Sequence, residues 1–187
     1  MGNKNLQPET STNFEIGLDY NSPGGQHAAL TLYRTRYKDK IGRETICTSP
    51  VARPNCHYNG EVRARINQYV NIDSAHLTGL EASLAAPLGR TLRLTANYTL
   101  TDSEISRGPN RGKPLNNLPR HVLNLGADWK SAPALRLWAK ARYRSKTLEP
   151  GKSQLPGYAM FDMGASYEVN PAVRLAADLY KIGRAHV

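Results

Sequence analysis

The sequence predicts an all-β protein, an antiparallel up-and-down β-barrel that crosses a membrane. Three observations lead there. Apolar and polar residues alternate with a period of two in about eight separate stretches, the mark of strands with one greasy and one wet face. No stretch carries a convincing helical period. Short and long connections then alternate strictly along the 187 residues, as they do in a transmembrane meander.

The cleanest stretch is TLRLTANYTLTD, Thr91 to Asp102. Leu92, Leu94, Ala96, Tyr98 and Leu100 point one way, and Arg93, Thr95, Asn97, Thr99 and Thr101 the other. Before it, NFEIGLDY sets Phe14, Ile16, Leu18 and Tyr20 against Glu15 and Asp19. HAALTLYRTRY offers Ala28, Leu30 and Leu32, with Arg34 beyond the apolar end, and LEASLAAPL sets Leu80, Ala82 and Leu84 against Glu81 and Ser83. After it, RHVLNLGADW sets Leu123, Leu125, Ala127 and Trp129 against Asn124 and Asp128. LRLWAKARYR opposes Leu135, Leu137, Ala139, Ala141 and Tyr143 to Arg136, Trp138, Lys140, Arg142 and Arg144. YAMFDMGASYEV and VRLAADLY repeat the pattern, with Phe161, Met163, Tyr167, Leu175 and Leu179 among the apolar set.

The connections NSPGGQ, PLGR, KSAP and NPA are short and made of turn residues. Those between them, residues 38–67, 103–119 and 146–156, are long and polar. In a meander this gathers every short turn at one end and every long loop at the other. Strands of about ten residues, tilted about 45°, cross a bilayer. Their apolar faces then need lipid rather than a protein core, and charges such as Arg136, Lys140 and Arg142 need a wet lumen. Tyr98, Trp129, Tyr143 and Tyr167 fall near strand ends, where aromatic girdles form. A soluble sheet with one wet face also alternates. It would need a second covering layer that this chain does not encode.

Composition narrows the remaining classes. A net charge of +10 raises nucleic acid as a partner, but the basic residues form no block or stripe, and none is expected. Cys47 and Cys56 sit close together in a polar segment. They read as one local disulfide of an oxidising compartment, worth roughly 2–3 kcal/mol, with two unrelated free thiols as the other reading. Zinc is disfavoured, because the spacing with His57 does not match a zinc motif and no fourth ligand is evident. GPNRGKP, Gly108 to Pro114, mimics a phosphate loop, but it is one residue short between glycines and ends in Pro rather than Ser or Thr. No catalytic constellation emerges, so an enzyme, a metal centre and a bound cofactor are not expected.

Several of these segments together resemble a known family. NLQPETSTNFEIGLDY, RYKDKI, NIDSAHLTGLEASL, ANYTLTDS, GKPLNNLPRHVLNLGADW and GYAMFDMGASYEVNPAVRLAADLY are similar, in order and spacing, to the C-terminal barrel of TonB-dependent outer-membrane receptors. The resemblance is nearest to receptors for ferric catecholate siderophores, such as the ferric enterobactin and colicin I receptors. It implies roughly 22 strands around an N-terminal plug, of which this chain would supply about eight. It also implies import of an iron chelate through the outer membrane of a Gram-negative bacterium. The implied partners are outer-membrane lipid and lipopolysaccharide, the ferric siderophore as transported ligand, the TonB–ExbB–ExbD complex, and colicins or phage.

Both ends depart from the family pattern. MGNKNLQPETST lacks a signal peptide's apolar core, and no TonB box or plug precedes Gly2, so residues 1–180 are expected to be a barrel segment incomplete at both ends. Lys181 to Val187, KIGRAHV, are a translation of AAG ATC GGA AGA GCA CAC GTC, which resembles the start of a common sequencing adapter. These residues are expected to be a non-native tail.

For ligand capture, a multiply negative ferric tris-catecholate favours cations. The candidates are Arg43, Arg53, Arg107, Arg111, Lys113 and Arg144, all in or beside long loops. Glu15 and Glu81 are expected to face the lumen by parity, meeting either basic groups of a plug or arginines of neighbouring strands. Alternative readings are a complete eight-stranded structural or adhesive barrel, and a haem, cobalamin or ferric citrate receptor of the same family.

Overall fold

The computed structural model describes residues 3–48, 56–107, 110–149 and 154–186, with residues 72–73 and 181–186 described by backbone alone. Among the described residues there are strands and no α-helix, and therefore no helix that is long and apolar enough to cross a membrane. In chain order the strands are β1 (Thr10–Asn21), β2 (His27–Thr48), β3 (His57–Tyr58), β4 (Glu61–Val62), β5 (Arg65–Leu88), β6 (Leu92–Ile105), β7 (His121–Lys130), β8 (Leu135–Arg144), β9 (Thr147–Leu148), β10 (Gln154–Leu155), β11 (Tyr158–Asn170) and β12 (Val173–His186). Eight of them form one sheet in the order β1-β2-β5-β6-β7-β8-β11-β12, so each long strand lies beside its predecessor. β3 with β4, and β9 with β10, form two small hairpins inside long connections.

The short connections are short because their residues close tight turns. Ser22 and Gln26 pair across the first, with Gly25 at φ 80°, a backbone region that side chains with a β-carbon rarely adopt. Gly89, at φ 67°, turns the chain from β5 into β6. Asn170 Oδ1 accepts the Ala172 amide at 2.9 Å in the last turn.

The chain divides into two compact units: residues 1–13, 35–77 and 103–115, and residues 14–34, 78–102 and 116–187. In the first, β2 and β5 continue well past the apolar stretches that announced them. Side chains tie this extension together: Thr45 Oγ1 donates to Asn67 Oδ1 at 2.9 Å, and Arg43 donates to the Tyr69 hydroxyl at 3.2 Å. Within the range 38–67, expected as a long polar link, residues 38–48, 57–58, 61–62 and 65–67 are strand. Asn59 and Gly60, both at positive φ, make the two-residue turn of the β3–β4 hairpin, where Tyr58 faces Glu61. Cys47 and Cys56 are joined in a disulfide with Cα atoms 5.4 Å apart. With Ile66 they form a small buried cluster, in which Cys56 has no exposed surface.

The second unit holds the alternating faces. From β6 to β12 the pairing lays matching parities side by side. Leu94 faces Ala127, Ala127 faces Ala139, Ala139 faces Met163 and Met163 faces Leu179. A second apolar row runs Leu92, Trp129, Leu137, Ala165 and Ala177. The neighbouring polar rows run Arg93, Asp128, Trp138, Gly164 and Asp178, then Thr95, Gly126, Lys140 and Asp162. One parity is thus apolar across five strands, and the other is polar.

Burial shows what each face is built for. Phe14 and Leu18 are each 70% exposed, Leu175 60% and Leu179 61%. Among the described residues the buried hydrophobics are Cys47, Cys56, Ile66, Ala75 and Ile105, and none of these belongs to the apolar rows. A sheet that leaves a contiguous apolar face uncovered needs an apolar medium against it. Hydrocarbon supplies one, and side chains at every second position of a strand then meet it.

Candidate functional site

Two features offer function: the cations of the long connections and the polar face of the sheet. In the first unit, Arg107, Arg111 and Lys113 are exposed on the connection after β6. That connection folds back on its own strand. Ile105 donates its amide to the Lys113 carbonyl at 2.9 Å, Gly112 donates to the Ile105 carbonyl at 2.9 Å, and Leu115 donates to Ser103 Oγ at 3.1 Å. The Lys113 ammonium reaches Asn110 Oδ1 at 3.1 Å. The backbone is held at Ile105, Gly112 and Lys113, and the side chains of Arg107, Arg111 and Lys113 are exposed.

Arg43 is exposed on the extended part of β2, with its guanidinium 5.3 Å from the centre of the Tyr69 ring. Stacking and the hydrogen bond to the Tyr69 hydroxyl orient it. Arg53 lies outside the described residues. Arg144 belongs to the second unit, half-buried, donating to the Asn117 carbonyl at 3.4 Å. Asn117, at φ 59°, is itself anchored by its amide to the Leu148 carbonyl at 2.7 Å.

The polar face carries both glutamates singled out in the sequence. Glu81 lines a cavity with Ala29, Thr31, Ser83, Asn97 and Thr99 of the polar parity, and with Ala82 and Tyr98 of the other. A β-carbon built on Gly17 would stand 3.5 Å from Thr31 Oγ1, so Gly17 shares that face, and Glu15 two residues earlier shares it too.

Sequence reasoning missed a charged cluster in the first unit. Glu9 Oε2 accepts the Ile41 amide at 3.0 Å, and Glu9 Oε1 meets Lys40 Nζ at 3.3 Å. Asn71 accepts the Gln7 amide at 2.8 Å and returns its own amide to the Gln7 carbonyl at 2.9 Å. The Ile41 N–H, and less strongly Lys40, hold the Glu9 carboxyl below its ordinary value of 4.5 against an opposing effect of partial burial. A lowered carboxylate pKa means the contact stabilises above the ordinary value and is lost as pH falls through the folded one. In an NMR titration the Ile41 amide should therefore shift with a midpoint below 4.5, and Glu9→Gln should abolish that titration. A midpoint at or above 4.5 would contradict the assignment.

An uncovered apolar face, a polar opposite face, and tight turns alternating with long cation-bearing connections define an outer-membrane β-barrel wall. Residues 1–180 match the family model described as TonB dependent receptor-like, beta-barrel, and the chain belongs to that family. It is 36% identical over 191 residues to the iron-regulated outer membrane virulence protein of Vibrio cholerae, covering 97% of this chain and 28% of that protein. It is 32% identical to the ferric enterobactin receptor of Pseudomonas aeruginosa, over 94% of this chain and 24% of that one. A crystal structure of a mutant of the ferric enterobactin receptor of that organism, in complex with enterobactin, superposes with a TM-score of 0.66. The identity is 27%, over 95% of this chain and 26% of that one. The chain thus spans about a quarter of the length of the curated relatives it matches. Its place is the outer membrane of a Gram-negative bacterium.

Proposed function

We propose that this chain is barrel wall from a receptor that imports a ferric siderophore of the catecholate type, driven by the TonB complex. The observation that carries the reading is the exposed trio Arg107, Arg111 and Lys113, held on a backbone-tied connection of a family barrel. A ferric tris-catecholate is a compact polyanion, and fixed cations at an entrance raise its encounter rate by tenfold or more, most at low salt. One relative's name agrees in chemistry: the Pseudomonas protein is a ferric enterobactin receptor. In this reading the polar face lines the path or meets a plug, and the apolar face meets lipid and lipopolysaccharide.

The test is uptake of radiolabelled iron by the receptor carrying this chain, in cells lacking their other siderophore receptors. Ferric enterobactin should enter, and changing Arg107, Arg111 and Lys113 together to glutamine should slow initial uptake about tenfold at low salt and less at high salt. Unchanged uptake would remove the trio from the ligand path. Import of haem, cobalamin or ferric citrate in place of enterobactin would overturn the substrate.

A further inference from the structure

Two aromatic side chains on the polar face share an arrangement that strand alternation does not require. Tyr33 on β2 crosses Gly79 on β5, and its hydroxyl lies 2.6 Å from Thr101 Oγ1 on β6, where Thr101 is only 7% exposed. Trp138 on β8 crosses Gly164 on β11, and its Nε1–H donates to Asp178 Oδ1 on β12 at 3.0 Å. The pairing sets Gly164 opposite both Trp138 and Asp178. In each case an aromatic ring on one strand passes over a glycine on the next and bonds a side chain on the third.

The glycines are required by this geometry. A β-carbon at position 79 would overlap the Tyr33 hydroxyl and the Leu100 carbonyl oxygen. One at 164 would overlap Asp178 Oδ1 and the Trp138 indole. Gly126 differs, for Thr95 Oγ1 stands 2.5 Å from where its β-carbon would be, but threonine is too short to reach a third strand.

We propose that Tyr33 and Trp138 are register clasps, positioning residues that commit three strands at a time to one pairing. Alternation forbids a slip of one residue, which would turn charges toward lipid, but it tolerates a slip of two, which keeps every parity. The clasp removes that tolerance. After a two-residue slip Asp162 or Ser166 would lie beneath the indole, and the side chain would occupy the space the ring needs. Tyr180, with its ring centre 5.9 Å from that of Trp138, braces the indole from β12. This inference rests on the barrel fold and is independent of which ligand is imported.

Disulfide trapping reads the register directly. Leu137 faces Ala165 in the observed pairing, so a cysteine pair at 137 and 165 reports it, while a pair at 137 and 163 reports a two-residue slip. In the receptor carrying this chain, assembled in outer membranes, Trp138→Ala should raise the slipped cross-link about fivefold, the weight of one good cross-strand contact. Gly164→Val should do the same or prevent assembly, and Trp138→Phe, which keeps a ring without the N–H, should fall between. A purely structural contribution would reduce the amount of barrel without producing the slipped product. Observed-register cross-links alone in Trp138→Ala would overturn the proposal.

Discussion

Leu94→Arg is expected to destabilise the assembled barrel by about 2–4 kcal/mol, whereas Arg93→Leu, one residue away, should cost far less. Leu94 sits in the row shared by Ala127, Ala139, Met163 and Leu179, so an arginine there would put a guanidinium among apolar side chains and hydrocarbon. Arg93 faces Asp128 on the polar parity, where water screens the loss of one charge. Urea unfolding of the receptor in lipid vesicles, followed by its heat-sensitive electrophoretic mobility, measures both. Equal costs would mean that the faces have been assigned the wrong way or that neither meets lipid.

Replacing Cys47 and Cys56 by serine should cost the hairpin of the first unit roughly 2–3 kcal/mol. The disulfide sits in the buried cluster with Ile66, so its loss removes a cross-link and most of the local packing together. The Arg63 amide donates to the Cys56 backbone carbonyl at 2.8 Å, an acceptor that serine keeps but that the bridge no longer holds in place. Trypsin added to intact cells should then cut at Arg63 or Arg65 about 30-fold faster, and dithiothreitol should do the same to the parent protein. The barrel's own mobility should stay unchanged. Equal cleavage with and without the bridge would assign the rigidity of this hairpin to its backbone pairing alone.

The strands that meet lipid were legible in the sequence, because hydrocarbon imposes a strict period of two. Leu92 to Leu100 and Leu135 to Tyr143 could be assigned to faces residue by residue, and the pairing keeps those faces continuous. Where β2 and β5 run on into the first unit the alternation of apolar with polar residues stops, although Cys47, Ile66 and Ala75 are buried there. Thr35 with Asn13, Thr45 with Asn67 and Arg43 with Tyr69 then do the pairing that apolar contacts do elsewhere. The Asn59-Gly60 turn was a readable hairpin signal that lay unused inside an apparent loop. The candidate site was less legible. Arg107, Arg111 and Lys113 could be named from charge, but the hydrogen bonds that fold their connection onto β6 run mainly through backbone. The clasps left only a faint trace, glycines at polar-parity positions, since a glycine in a strand does not announce which ring will cover it.

Labelling from within the bilayer tests the central claim most directly. Single cysteines at Leu94, Leu137, Arg93 and Arg136, in the receptor with its Cys47–Cys56 bridge intact, are challenged with a lipid-dissolved maleimide and with a charged, water-soluble one. Positions 94 and 137 should react with the first reagent and resist the second, while 93 and 136 show the reverse. Lipid-side reaction at 93 and 136, with 94 and 137 spared, would contradict the account.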